Sequence, residues 1–454
     1  MPDWFQKVFE IHETAPDRGD RIKLEKSGNN NFIKTSKFKY LAGSFKIYTL
    51  ENIRKEAKRK AIAYLEMNKN RLPFDNKFIV NNLGYIEIME EINDLVNKNA
   101  CFQVASQTNC LEHPNKDVKP EDGITNYKNV HTQGPACAIA AAPGTYYRNY
   151  FVMAGNKPQT VDDQINTLYF LEKEINNLDL KEYFSIQNGY VTISPIQRLK
   201  LQSLFESPDY QESNGNFQKK IVDKISVGIM TDTEAIIHGK LNNMKFFKYE
   251  PQIDKKFTVT QIFCSAVNLD EEARGGNGRD SYSNDILAKA ILQSQYEATL
   301  WAAVLNAMKT GCNAVYLTSV GGGVFKNPIE WVIESINNAI LEIQKIKFPL
   351  IVYIVHHSDI SSEYFELENL SYDFKRNKHI YYDADMNEVD DPSLNISLKE
   401  LYNRIDKSYS QLDKLTKKVN KIAQESNGPV TFSSNQVRTL KKYSTDLGEI
   451  IAML

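Results

Sequence analysis

The chain has 454 residues, with 55 Lys and Arg against 57 Asp and Glu and a formal net charge of −2. Charges that cancel this closely set up no field to draw in nucleic acid or an acidic membrane, so neither is expected as a partner. No apolar run reaches the roughly 18 to 20 residues of a membrane helix, and the charged start MPDWFQKVFEIHETAPDRGDR does not read as a signal peptide, so a soluble compartment is expected.

Residues 1–40 read as a polar, flexible lead-in. FKIYTL then predicts a strand, and ENIRKEAKRKAIAYLEMN a helix with Ile53, Ala57, Ala61 and Leu65 on its apolar face. YIEIMEEINDLVNK predicts a further helix, and CFQVAS a buried strand that opens into the polar loop QTNCLEHPNKD. TQGPACAIAAAPGTYYRNYF, residues 132–151, reads as a loop of small residues that lets backbone approach a ligand or a helix. Residues 155–222 are polar and Asn/Gln-rich and read as a helical insertion. Strands return at KISVGIMT and FTVTQIFCSAVN. A long amphipathic helix follows from Asp285, closed by Gly311, and then strand NAVYLTSV, helix PIEWVIESINNAILEIQKI and strand PLIVYIVHH. From Leu398 to Ile422 apolar residues recur at three and four, and Gly428-Pro429 breaks this run from a second helix, which predicts a C-terminal helical hairpin within 361–454.

Apolar strands alternating with helices predict a three-layer α/β domain over 41–360, with a sheet covered on both faces and ligands bound beyond the carboxyl ends of the strands. The five cysteines show no C-x-x-C spacing, so neither a disulfide framework nor a zinc ribbon is expected. His356 and His357 are adjacent rather than at helical spacing. No metal site and no cofactor are expected.

VGGGVFKNPIE, residues 320–330, carries the most chemistry. Three glycines after a strand permit positive φ and leave amides open to an anion, and Asn327, Pro328 and Glu330 read as N-cap, first helical residue and third position of a capping box. The positive end of that helix favours a phosphate or diphosphate nearby. The bland alternative is a tight connection in which glycine merely relieves strain. The loop lacks the Lys-Ser/Thr of a Walker motif and does not open the fold as a dinucleotide-binding loop does.

With CFQVASQTN, TQGPACAIAAAPGT and strand-VGGGVFKNP-helix-LIVYIVHH in that order, residues from about 100 to 360 resemble a macrodomain. Adding the acidic loop NLDEEARGGNGRD, the resemblance is closest to MavL-type ADP-ribosyl hydrolases, a bacterial-effector group that removes ADP-ribose from ubiquitin. The chain departs from the macrodomain Asn-Ala-Ala-Asn with Ala105-Ser106-Gln107-Thr108-Asn109, carries Gln133-Gly134-Pro135 in place of a glycine triplet, and lacks the Gly-Gly-Gly…Gln-Glu-Glu signature of poly(ADP-ribose) glycohydrolases. The resemblance implies a mono-ADP-ribosyl hydrolase that is cytoplasmic or delivered into a host cytosol. Its partner would be ADP-ribose or an ADP-ribosylated protein such as ubiquitin, and the alternative is a reader that binds ADP-ribose without cutting it.

It also implies a set of site residues. Gly321, Gly322, Gly323, Val324 and Phe325 would hold the diphosphate through backbone, with Phe325 also against the distal ribose. Asn109 would bond the ribose hydroxyls, and Gln107, Gln133 and Gly134 would contribute around it. Asp270, Asp280 and Glu272 would act at the ribosyl bond, because its cleavage passes through an oxocarbenium-like state that a carboxylate stabilises. Arg148 and Tyr146-Tyr147 read as packing residues, and Glu112 as either an adenine contact or a turn cap.

Overall fold

The computed structural model describes residues 3–13, 21–68, 71–85, 87–174, 183–206, 221–242, 246–251, 256–269, 286–356, 360–382 and 388–389. The chain divides into two compact units, residues 1–360 and 361–454.

In the first unit the elements are α1 (Trp4–Phe9), β1 (Lys23–Ser27), β2 (Asn30–Lys34), β3 (Lys39–Thr49), α2 (Leu50–Met67), β4 (Lys77–Tyr85), α3 (Ile88–Asn93) and β5 (Cys101–Ala105). There follow α4 (Gln133–Ala140), α5 (Ala142–Tyr150), α6 (Tyr169–Glu174), β6 (Ser185–Gln187), β7 (Tyr190–Thr192), α7 (Pro195–Glu206), β8 (Ser226–Glu234), β9 (Ile237–Asn242) and β10 (Phe246–Pro251). The unit closes with β11 (Thr258–Cys264), α8 (Ile286–Thr310), β12 (Ala314–Thr318), α9 (Ile329–Gln344) and β13 (Ile351–His356).

The main sheet of this unit runs β1-β2-β3-β8-β11-β5-β12-β13-β4. From β11 to β4 every neighbour is parallel. The β1-to-β8 side is antiparallel, and β8 meets β11 antiparallel. Helices α2, α8 and α9 pack together on one face, and α3, α4 and α5 lie on the other. The fold is therefore the expected three-layer α/β arrangement around a mixed sheet.

Burial explains the central elements. Strand β5 is buried on both faces, with Phe102 and Val104 in the α4–α5 core and Gln103 bonded to Thr299 of α8 on the other side. Helix α8 is buried nearly all round, from Leu287 to Ala307, rather than amphipathic, because α2 and α9 flank it. Its one deeply buried carboxylate, Glu297, is held by Arg54 of α2 at 2.6 and 2.9 Å and by the Trp301 indole at 2.9 Å. As expected, Gly311 ends the helix with positive φ, +77°, and donates to the Ala307 carbonyl.

Three expectations are corrected. The lead-in is part of the fold: WFQKVF forms α1 with Trp4, Phe5, Val8 and Phe9 buried, each side chain stabilising by roughly 1.5–3 kcal/mol, and β1 and β2 extend the sheet. Asp3 and Gln6 cap that helix reciprocally. The helix expected over YIEIMEEINDLVNK shrinks to α3 and a single 3-10 turn, because the preceding KFIVNNLGY is strand β4. The insertion is not wholly helical, since β6 and β7 form a hairpin in it; the turn, Asn188-Gly189, has positive φ at both residues.

In the second unit a 3-10 helix, Ser362–Leu370, leads into a hairpin of β14 (Tyr372–Asp373) and β15 (Lys378–His379). The Asp373 carboxylate takes the amides of Lys375 and Arg376, both at 2.8 Å, and so builds the turn. The C-terminal helical hairpin expected from Leu398 onward lies outside the described residues. Among the described residues no helix is long and apolar enough to cross a membrane.

Candidate functional site

The parallel strands end together, and their exits part company there. The chain leaving β5 returns through α4 and α5 on one face of the sheet. The chains leaving its two neighbours, β11 and β12, return through α8 and α9 on the other. Adjacent strands whose exits go to opposite faces leave a crevice beyond their carboxyl ends, the usual ligand position in open α/β sheets.

The crevice is reinforced by splaying. β5 and β12 pair only at Cys101 with Val315 and Phe102 with Tyr316. Beyond that point the Gln103 side chain accepts the Thr318 amide at 3.1 Å, and the Gln133 side chain accepts the Ala105 amide at 3.0 Å and donates to the Gln103 carbonyl at 2.7 Å. Gln133 thus stands in for the missing strand partner, which corrects its expected role as a ligand contact. Buried backbone groups demand partners, and these side chains supply them.

The glycine loop lies at this edge. Gly321 has φ +73°, and a Cβ there would sit 2.5 Å from the Ala266 Cβ and 2.7 Å from Asn327 Nδ2, so only glycine fits. Gly321→Ala is therefore expected to destabilise the protein by about 1–3 kcal/mol in urea denaturation. The Gly322 amide donates to the Ser319 carbonyl at 3.1 Å, which removes it from the expected donor set. Among the described residues the amides of Gly321, Gly323, Val324 and Phe325 meet no acceptor. Phe325 is half-buried, its ring 5.5 Å from that of Tyr190 in the insertion hairpin.

Helix α9 starts at Ile329 with Pro328 as its cap residue, so Asn327 is not the N-cap that its position suggested. Its side chain turns inward, 4% exposed, and donates to the carbonyls of Val267 (2.9 Å), Gly321 (3.3 Å) and Phe325 (3.5 Å). Leu269 donates in turn to the Phe325 carbonyl at 3.0 Å. The loop is thereby knitted to the exit of β11, immediately before Asp270 in sequence. Asp270, Glu272 and Asp280 themselves lie outside the described residues.

The β5 exit departs from expectation. Asn109 is fully buried and spent within the protein: it donates to Gln164 (2.9 Å) and the Asn188 carbonyl (3.1 Å) and accepts the Leu111 amide (3.1 Å). Gln107 exchanges two hydrogen bonds with the backbone of His113 and donates to the Tyr190 hydroxyl. Residues 132–151 are not a ligand loop but the buried helices α4 and α5, and Gly134 is there because a Cβ would lie 1.9 Å from the Ala105 carbonyl oxygen. The small residues serve close packing against β5. The insertion hairpin takes one bond from each of Gln107 and Asn109, through Tyr190 and Asn188, and its Val191 carbonyl accepts the Asn268 amide at 2.9 Å. The Asn188-Gly189 turn signal in the sequence was sufficient to find it.

Beneath this edge is a buried ion pair. Arg148, fully buried, reaches both oxygens of Glu112 at 3.0 and 3.1 Å, donates to the Cys110 carbonyl at 2.9 Å, and lies 3.8 Å over the Phe263 ring. It ties α5 to the β5 exit. Burial, opposed by Arg148, pushes the Glu112 carboxyl up to about 7. Burial alone pushes His356, at the end of β13, down to about 4.

No protein-family model and no curated protein matches the chain. Solved structures of poly(ADP-ribose) glycohydrolase are similar to it at a low level. The Deinococcus radiodurans enzyme in complex with ADP-ribose aligns with TM-score 0.31 and 11% identity over 70% of this chain and 90% of that one. The Thermomonospora curvata enzyme aligns with TM-score 0.33 and 11% identity over 71% and 84%. Its complex with the inhibitor ADP-HPD aligns with TM-score 0.29 and 10% identity over 68% and 78%. Likeness at this level transfers neither function nor residue roles.

Proposed function

We propose that the crevice beyond β5, β11 and β12 binds ADP-ribose and that the protein hydrolyses an ADP-ribosyl bond to an acceptor protein. The observation that carries this reading is the set of amides at Gly321, Gly323, Val324 and Phe325 that meet no acceptor among the described residues, on a loop whose conformation is fixed by Gly321 and Asn327. Several amides directed at one anion bind a diphosphate without requiring a cation, and charge-assisted bonds of this kind are about twice as strong as neutral ones. The macrodomain-type order of motifs supports the same ligand.

In this reading the diphosphate rests on the loop and the distal ribose extends toward the β11 exit. Asp270, Asp280 and Glu272 supply the carboxylates that stabilise the positive charge developing at the anomeric carbon and activate water. Ubiquitin as the acceptor rests only on the likeness of three motifs to the effector hydrolases.

Titration calorimetry tests the binding step. ADP-ribose is expected to bind and adenosine, which lacks the diphosphate, is not. Val324→Pro, which deletes one donor at an exposed residue, should weaken ADP-ribose binding roughly tenfold. Equal binding of both ligands, or of neither, overturns the reading.

A further inference from the structure

The amide nitrogen of Asn327 is a hub that no motif announces. Three carbonyl oxygens, those of Val267, Gly321 and Phe325, converge on it within 3.5 Å, while its main-chain amide also donates to the Gly321 carbonyl at 3.0 Å. Its own Oδ1 is buried with no partner among the described residues. A buried amide oxygen left unbonded is costly, and here the donor end of the side chain, not the acceptor end, makes the contacts that offset that cost. Carbonyl oxygens carry the negative end of the peptide dipole and would repel a diphosphate. Gathering those of Gly321 and Phe325 onto one nitrogen leaves the neighbouring amides without internal competition.

We propose that Asn327 is the positioning residue of the site: it fixes the glycine loop in its anion-receiving form and fastens it to the exit of β11, at the point where the acidic segment begins. Its effect on ligand binding rests on the ADP-ribose reading, but its effect on the loop does not. Among the described residues the partners of its side chain are backbone carbonyls, and the nearest charges along the chain, Lys326 and Glu330, are both exposed.

Asn327→Asp keeps the volume and exchanges the donor for a carboxylate oxygen facing three carbonyls. Protonation of that carboxyl restores one donor, so the defect should be reversible by acid. Burial among carbonyls raises the carboxyl above its unfolded value, so the folded loop is favoured at low pH and lost as pH rises.

The experiment is hydrogen–deuterium exchange of the ligand-free protein, with ADP-ribose titration in parallel, each variant compared with the unsubstituted chain at the same pH. At pH 8, Asn327→Asp is expected to exchange about tenfold faster at the hydrogen-bonded amides within 319–328, those of Val320, Gly322, Lys326 and Asn327, and within 265–269, with β3 and β8 unchanged, and to bind ADP-ribose at least tenfold more weakly. At pH 5 both defects should shrink, whereas Asn327→Ala should keep them at either pH. Unaltered exchange at pH 8, or a defect in Asn327→Asp that is the same at both pH values, overturns the proposal. If Asn327→Asp does not fold at pH 8, Asn327→Ala decides: acceleration confined to those two segments supports the proposal and its absence refutes it. If the unsubstituted protein binds no ADP-ribose, the function proposed above fails, and the exchange data still decide the role of Asn327.

Discussion

Asp270→Asn and Asp280→Asn proteins are expected to bind ADP-ribose within about threefold of the unsubstituted chain and to release it from an ADP-ribosylated protein about 10² to 10⁴ times more slowly. The substitution keeps the size and much of the hydrogen bonding of the carboxylate but removes its charge. In the proposed site that charge is a liability in the ground state, because a carboxylate beside a diphosphate is repelled. In the transition state it is an asset, because positive charge builds on the ribose. Loss of charge should therefore appear in kcat and hardly in affinity. Single-turnover release of ADP-ribose, followed chromatographically, separates the two. Full turnover in both variants would move the chemistry to other residues, and tight binding with no turnover in the unsubstituted protein would make it a reader.

Replacing either member of the Glu112–Arg148 pair should cost about 3–5 kcal/mol in urea denaturation, while Glu112→Leu combined with Arg148→Met should recover most of it. Both groups are fully buried, so a single replacement strands a charge or an unbonded carboxyl in the core. The double replacement strands neither and leaves an apolar contact with the Phe263 ring. Burial holds Glu112 at about 7 against an ordinary 4.5. A folded value above the unfolded one means that the contribution of this group to stability is present below about pH 4.5 and is lost as pH rises to about 7. The pH dependence of the denaturation midpoint across that window should accordingly flatten in the double variant. A double replacement as damaging as the single ones would refute the argument.

How far the sequence reaches is clear from particular residues. β5, β12, β13 and α9 were legible because their signals are local: an apolar run, a glycine break, a renewed helical period. The glycine loop was legible for the same reason. The 132–151 segment was not, because small residues serve a close approach of any kind, and whether backbone meets ligand or strand is set by what lies across from it. Here Gly134 meets the Ala105 carbonyl. The strand β4 was missed because KFIVNNLGY carries polar Asn81 and Asn82 where a buried strand would be apolar, yet both are only half-buried.

The polar candidates divide along the same line. Gln107, Asn109 and Gln133 are residue types that bind sugars and also residue types that satisfy buried backbone. Composition cannot separate the uses, since their partners lie as far as 83 residues away, as between Gln107 and Tyr190. Asn327 shows it most sharply. By itself the sequence determined the alternation of elements, the flexible-backbone loop and the charge balance, because each depends on residues close in the chain. Only the tertiary structure decided that Asn327 serves a carbonyl 60 residues upstream instead of the helix beside it, because a side-chain donor goes to the acceptor that burial has left unpaired.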